Sequence, residues 1–286
     1  MADLRLTAAQ YRELRVQRTE PKPRRLVFVN RKGGSGKTTS AVQLGRAFSL
    51  WGLRTRLTDG DAQLASATYW LPPQRPRGYP TLLDVFMGEA TLAEVTAPTT
   101  LPGLSIVPSL DTLVRVESER PPGSDGLLAA EFDADVDTTD IELEDAAPSM
   151  GLVTVAMLAA ATDVVVMVKT STLDLVGAAE MAKPLDLIRR RLNPGLQITA
   201  VLMVDDDEQT TLSRTMVEQF AADYPDALIH RIPHSVRARE APGAHEPVLD
   251  YAPDNPVSLA YWRLAVNLVP RLGLEWKVSP EQVATA

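Results

Sequence analysis

The run Lys32-Gly33-Gly34-Ser35-Gly36-Lys37-Thr38-Thr39 constrains this chain more than any other feature. It follows a short apolar stretch, residues 26–30, and opens one with helical spacing, residues 38–50. That is the strand–loop–helix context a phosphate-binding loop requires. Glycines let the backbone curl around a phosphate, while the loop N–H groups and the helix N-terminus direct positive potential at it. Lys37 adds a point charge, and the Thr38 hydroxyl is placed to hold Mg2+.

From residue 26 onward, short apolar runs alternate with longer helical ones, which is the pattern of βαβ units. Strands are expected at 26–30, 54–58, 104–107, 141–145, 163–168, 198–204 and 227–231, and helices at 38–50, 152–161 and 211–222. The fold class this predicts is α/β: a phosphate-loop NTPase with a mostly parallel, twisted sheet flanked by helices on both faces. Val164-Val-Val-Met-Val168 is apolar throughout, as a strand covered on both sides should be. Ile141-Glu-Leu-Glu144 is not. Its alternation puts two acids on one face, so that strand is either partly uncovered or met by basic partners.

Ahead of this domain, the first 25 residues hold seven Lys/Arg against three Asp/Glu. Thr7 and Gln10 are spaced as a capping box, so a short basic helix is expected, followed by a linker at Pro21-Lys-Pro23. It is either a solvated arm or a contact for DNA or a partner. The expected division is residues 1–24 for this helix and linker, 25–272 for the main domain and 273–286 for a C-terminal tail.

Composition removes several alternatives. With Cys 0 there is no disulfide, thiolate zinc site, iron–sulfur cluster or cysteine nucleophile, and three histidines leave little for metal chemistry. The apolar stretch 150–162 stops at Asp163, short of the roughly 20 residues a membrane span needs. Met-Ala-Asp-Leu-Arg at the start lacks the apolar core of a secretory signal, so a cytosolic protein is expected. The net charge of −8 is concentrated: residues 117–145 carry eleven acids against the single base Arg120. A basic face elsewhere is therefore compatible with an acidic total. Within that block, the run 131–140 reads as a solvated face or as a docking surface for a basic segment. Arg189-Arg-Arg191 precedes Asn193-Pro-Gly195 and reads as the positive end of a helix rather than a phosphate patch.

One departure from the general phosphate-loop pattern carries a resemblance. Arg31 stands where the first glycine of G-x-x-x-x-G-K-[ST] would fall, and a second lysine, Lys32, precedes the glycine pair. Lys-Gly-Gly-x-Gly-Lys-Thr-Thr resembles the deviant Walker A motif of the ParA/MinD ATPases. The resemblance implies that Lys32 reaches across a homodimer to the partner's nucleotide, and that the cofactors are ATP and Mg2+. It extends over about residues 25–272. Asp59-Gly-Asp61-Ala-Gln63 resembles the D-x-D-P-Q segment with Ala62 for proline, which implies that Asp61 orients the attacking water and Asp59 supports the Mg2+ network. Asp145-Ala-Ala-Pro148-Ser149-Met-Gly151 resembles D-x-P-P-S-x-G and implies a water-mediated Mg2+ contact for Asp145, with Glu144 the competing acid.

Residues 232–242 and 247–251 resemble the I-P-x-x-x-R-x-x-E-A-P and P-[IV]-x-x-Y segments of the ParA branch. This implies Pro233 beside the adenine and Arg237 on non-specific DNA. His234 and Gln209 stand where that branch often has arginine, which predicts weaker DNA binding or other contact residues. The function implied is an ATP-sandwich dimer that binds DNA and hydrolyses ATP to partition plasmid or chromosomal DNA, with a ParB-like centromere-binding partner and a nucleoid location. The alternative is a MinD-like or cargo-positioning ATPase. Residues 271–286 argue against a membrane-binding form, because they hold a glycine and a proline and offer no basic amphipathic face. A third reading is a module that uses ATP only to dimerise.

Overall fold

The computed structural model describes residues 5–63, 66–136 and 138–285, with residues 172–180 described by their backbone alone. Its strands are β1 (Arg15–Arg18), β2 (Arg24–Val29), β3 (Thr55–Gly60), β4 (Ala97–Pro98), β5 (Leu104–Val107), β6 (Ile141–Ala146), β7 (Asp163–Lys169), β8 (Gln197–Asp206), β9 (Leu228–Pro233) and β10 (Leu274–Val278). Eight of them form one sheet in the order β4-β5-β3-β6-β2-β7-β8-β9, and β1 pairs with β10 in a second. Every pairing in the large sheet is parallel except β4 with β5. Apart from the short β4, this is the expected set of strands in the expected class of sheet.

Alternation along β2 divides the core between two faces. Leu26 and Phe28 join Leu44 and Phe48 of the Lys37–Leu50 helix and Trp262 of the Pro256–Leu268 helix. Val27 and Val29 point the other way, toward Met157 of the Leu152–Ala160 helix and Phe132 of the Ser124–Ala134 helix. Parallel register then places the ends of the strands. Asp59 and Asp145 sit side by side at the C-terminal ends of β3 and β6, the edge of a parallel sheet where ligands bind.

The acids of β6 find different fates. Glu142 accepts two hydrogen bonds from the buried Arg56 guanidinium, 2.9 and 2.6 Å. Arg56 also pairs with Asp135, Arg25 with Asp133, and Arg54 with Asp140. The described part of the 131–140 run is thus largely paired within the chain; Asp137 lies outside the described residues. Glu144 is fully buried, with no hydrogen-bond partner for either oxygen among the described residues.

The first and last described segments fold onto the domain. The Ala8–Glu13 helix carries the expected Thr7–Gln10 capping box. Rather than projecting as a solvated arm, it lays Tyr11 flat on Trp262 with ring centroids 5.6 Å apart. The Trp51 indole N–H donates to the Tyr11 carbonyl at 2.7 Å. The basic residues of this segment are largely engaged internally: Arg12 with Asp250, Lys22 with Asp133, and Arg24 with Asp163. Arg189–Arg191 close the Thr172–Arg191 helix, and Arg189 Nε donates to the Leu196 carbonyl at 3.0 Å, as the helix-end reading requires.

Candidate active site

The phosphate loop leaves β2 and enters the Lys37–Leu50 helix through Gly36, whose φ of +82° only glycine adopts without strain; Gly34 has φ +67°. Lys32 is exposed on the outer side of the loop, and its backbone N–H donates to Asn30 Oδ1 at 2.8 Å. Lys37 is buried beneath it. Burial lowers the Lys37 pKa, and the nearby Asp145 and Asp61 carboxylates oppose that shift.

Strand alternation sends Glu144 and Asp145 to opposite faces of the sheet. Asp145 points to the loop side, where its Oδ2 accepts a hydrogen bond from Thr38 Oγ1 at 2.6 Å, while Glu144 points into the opposite layer. Asp59 Oδ2 accepts from the backbone N–H and the hydroxyl of Thr68, at 2.8 and 2.7 Å, and its Oδ1 accepts from Asp61 N at 3.1 Å. Its oxygens therefore organise the segment that carries Asp61 and the Ser66–Trp70 helix. Burial raises the pKa of Asp59 and Asp145; Asp61 adds to the first shift, and Asp59 and Asp61 add to the second. A cation between them and the phosphates would offset both penalties.

A cavity of about 650 Å³ runs from Gly33–Thr39 past Asp61 to Pro233. It brings together the loop residues, Asp61 and Pro233, as expected from the sequence. Arg237 is not among its lining residues; it lies outside, in the Val236–Glu240 helix, paired with Glu240 at 2.8 Å. Lys169, Asp205, Arg239 and Tyr69 also line the cavity, and the sequence did not mark them. Lys169 had a usable signal, as the polar residue ending an apolar parallel strand. Asp205 is held in a left-handed backbone conformation, φ +53°, with Lys169 at 3.2 Å, His234 at 3.3 Å and Arg239 at 3.7 Å. Burial opposes its ionisation, but Lys169, Arg239 and His234 prevail and hold its pKa low.

The sequence profile of the AAA domain family matches residues 24–198. The chromosome partitioning protein ParA of Caulobacter vibrioides is 33% identical over 254 residues, covering 86% of this chain and 94% of that protein. This chain belongs to the ParA/Soj family of partition ATPases. Solved structures agree on the fold. McdA from Cyanothece in complex with ATP superposes with a TM-score of 0.74 at 20% identity, covering 86% of this chain and 97% of that one. The septum site-determining protein MinD of Pyrococcus horikoshii, with Mg-ADP, gives 0.70 at 20% identity, covering 86% and 96%.

The residues here fit the family's Mg-nucleotide. Ser35 Oγ and Asp145 Oδ1 are buried polar atoms without hydrogen-bond partners among the described residues, at the two places where phosphate and hydrated Mg2+ would supply them. Thr38 and Asp145 would hold the ion, which would supply neutralising charge to the phosphates. Among the described residues no helix is long and apolar enough to cross a membrane.

Proposed function

We propose that this chain is an ATP-hydrolysing switch that closes into an ATP-sandwich homodimer and holds DNA without sequence preference. It releases DNA when a ParB-like centromere-binding protein stimulates hydrolysis, so partitioning plasmid or chromosomal DNA on the nucleoid. The observation that carries this reading is the Lys37–Asp145–Thr38 cluster beneath a glycine loop, with Asp61 facing the same cavity.

Phosphoryl transfer to water needs positioning and charge neutralisation more than covalent chemistry. Loop N–H groups and Lys37 take the phosphates, Asp61 aims the water, and Lys32 serves the nucleotide of the second copy. Asp61 is pre-positioned: its N–H donates to Asp59, and its Oδ1 accepts from Gln63 N at 2.9 Å. Pro233 closes the far end against the base. Support for this reading over a membrane-surface switch comes from residues 274–284. There β10 pairs with β1, and the Pro280–Ala284 helix buries Val283.

The test uses Asp61→Ala, which should abolish phosphate release while keeping ATP bound. With ATP this variant should bind mixed-sequence duplex DNA more tightly than with ADP, in a salt-dependent way. Equal affinity with the two nucleotides would reject the DNA switch. Phosphate release abolished by this change would exclude a module that uses ATP only to dimerise.

A further inference from the structure

The Leu152–Ala160 helix begins directly after the segment that carries Asp145, and its own N-cap residue is Gly151, which has no side chain to cap it. The cap comes from far away in sequence. Glu117 Oε2 accepts from Leu152 N at 2.9 Å, and Oε1 accepts from Val153 N at 3.4 Å. A carboxylate there meets both the first free N–H groups and the positive end of the helix.

Gly151 has φ −75°, which any residue tolerates, so its backbone does not require glycine. Space does. A Cβ at position 151 would lie 2.2 Å from Glu117 Oε1 and 2.7 Å from its Cδ. The absent side chain is what admits the carboxylate. The segment leading to Glu117 is tied at its other end as well: Ser109 N donates to Thr68 Oγ1 at 2.9 Å, and that hydroxyl donates to Asp59. Residues 109–117 thus form a strap between the Asp59–Thr68 segment and the Asp145–Gly151 segment.

We propose that Glu117 is a positioning residue for the Mg-nucleotide site: it clamps the start of the Leu152–Ala160 helix through the gap left by Gly151 and so fixes the segment that presents Asp145 to Thr38. The proposal rests on the ATPase reading. Glu117 touches neither nucleotide nor ion in it, and acts through the helix start as outer partners of a metal site do.

The experiment measures the Mg2+ concentration for half-maximal binding of a fluorescent ATP analogue, the steady-state kcat, and the apo unfolding temperature, all on the full chain. Glu117→Ala and Gly151→Ala should each raise the Mg2+ midpoint about 10-fold. The double variant should be no worse than either single one, because both remove the same contact. Glu117→Gln keeps one acceptor and should recover part of the loss. Unfolding temperatures that fall while the Mg2+ midpoint and kcat stay at wild-type values would overturn the proposal, as would effects that multiply in the double variant. If Glu117→Ala fails to fold, Gly151→Ala carries the same test with the carboxylate retained. A wild-type chain that shows no Mg2+-dependent ATP binding would defeat the ATPase reading itself, whereas saturable binding equal in all variants defeats only the role of Glu117.

Discussion

Two adjacent acids show how one residue's shift along a strand separates machinery from liability. Asp145 accepts from Thr38 under the phosphate loop, and Glu144, one position earlier, is driven into an apolar layer. Burial pushes the Glu144 pKa well above the ordinary carboxylate range, and Glu142 adds to it. A buried carboxyl without hydrogen bonds costs about 1–3 kcal/mol. Glu144→Met, which keeps the length of the side chain and removes its polar atoms, should therefore stabilise the protein by about that amount in urea unfolding at pH 7.5. A loss of stability would mean that Glu144 has a partner the structure does not show. The alternation Ile141-Glu-Leu-Glu144 made the need for basic partners legible in the sequence. That Arg56 would answer for Glu142 alone was not, because the pairing crosses 86 residues of chain.

At the scale of elements, the long apolar strands and the loop-to-helix junction were legible because their signals are local. The missed strands β1, β4 and β10 have four, two and five residues. β1 and β10 are defined by each other, Arg18 opposite Leu274 and Val16 opposite Trp276, and nothing near either sequence announces the partner. What holds them is the aromatic row of Tyr11, Trp262 and Trp51, stacked in turn, with Trp276 edge-on to Trp51, successive centroids 5.4–5.7 Å apart. Tyr11 is 2% exposed, so Tyr11→Ala opens a cavity and removes a stacked pair. The expected cost is about 3–5 kcal/mol, read as a lowered urea midpoint with a change in tryptophan fluorescence. A cost under about 1 kcal/mol would mean that the N-terminal helix is not anchored by this ring. The candidate site residues Lys37, Thr38, Asp61 and Asp145 were marked by motifs in the sequence. Glu117 was not: as one of eleven acids in its block, it is distinguished only by the glycine it reaches.

For the whole molecule, the difficulty is an acidic protein, net charge −8, proposed to hold DNA. Internal pairing with Lys22, Arg25, Arg54 and Arg56 neutralises the 131–145 acids locally and leaves the net charge as it is. Arg237 stays at the surface, where its pair with Glu240 is more than half exposed on the arginine side. An exposed pair of this kind is worth little, so the guanidinium can be given up to a phosphate at small cost. The proposed ATP-bound dimer would present Arg237 twice, and each phosphate contact contributes about 0.9 to the slope of log affinity against log salt. In the Asp61→Ala background with ATP, adding Arg237→Ala should therefore reduce that slope by about two and weaken binding to all sequences alike. Adding Lys32→Ala instead should leave ATP bound to a monomer by light scattering and remove most DNA binding, because the paired face no longer forms. An unchanged slope for Arg237→Ala would show that this side chain remains with Glu240. DNA taken up by the Lys32→Ala monomer as well as by the dimer would show that nucleotide-driven pairing is not what creates the binding surface.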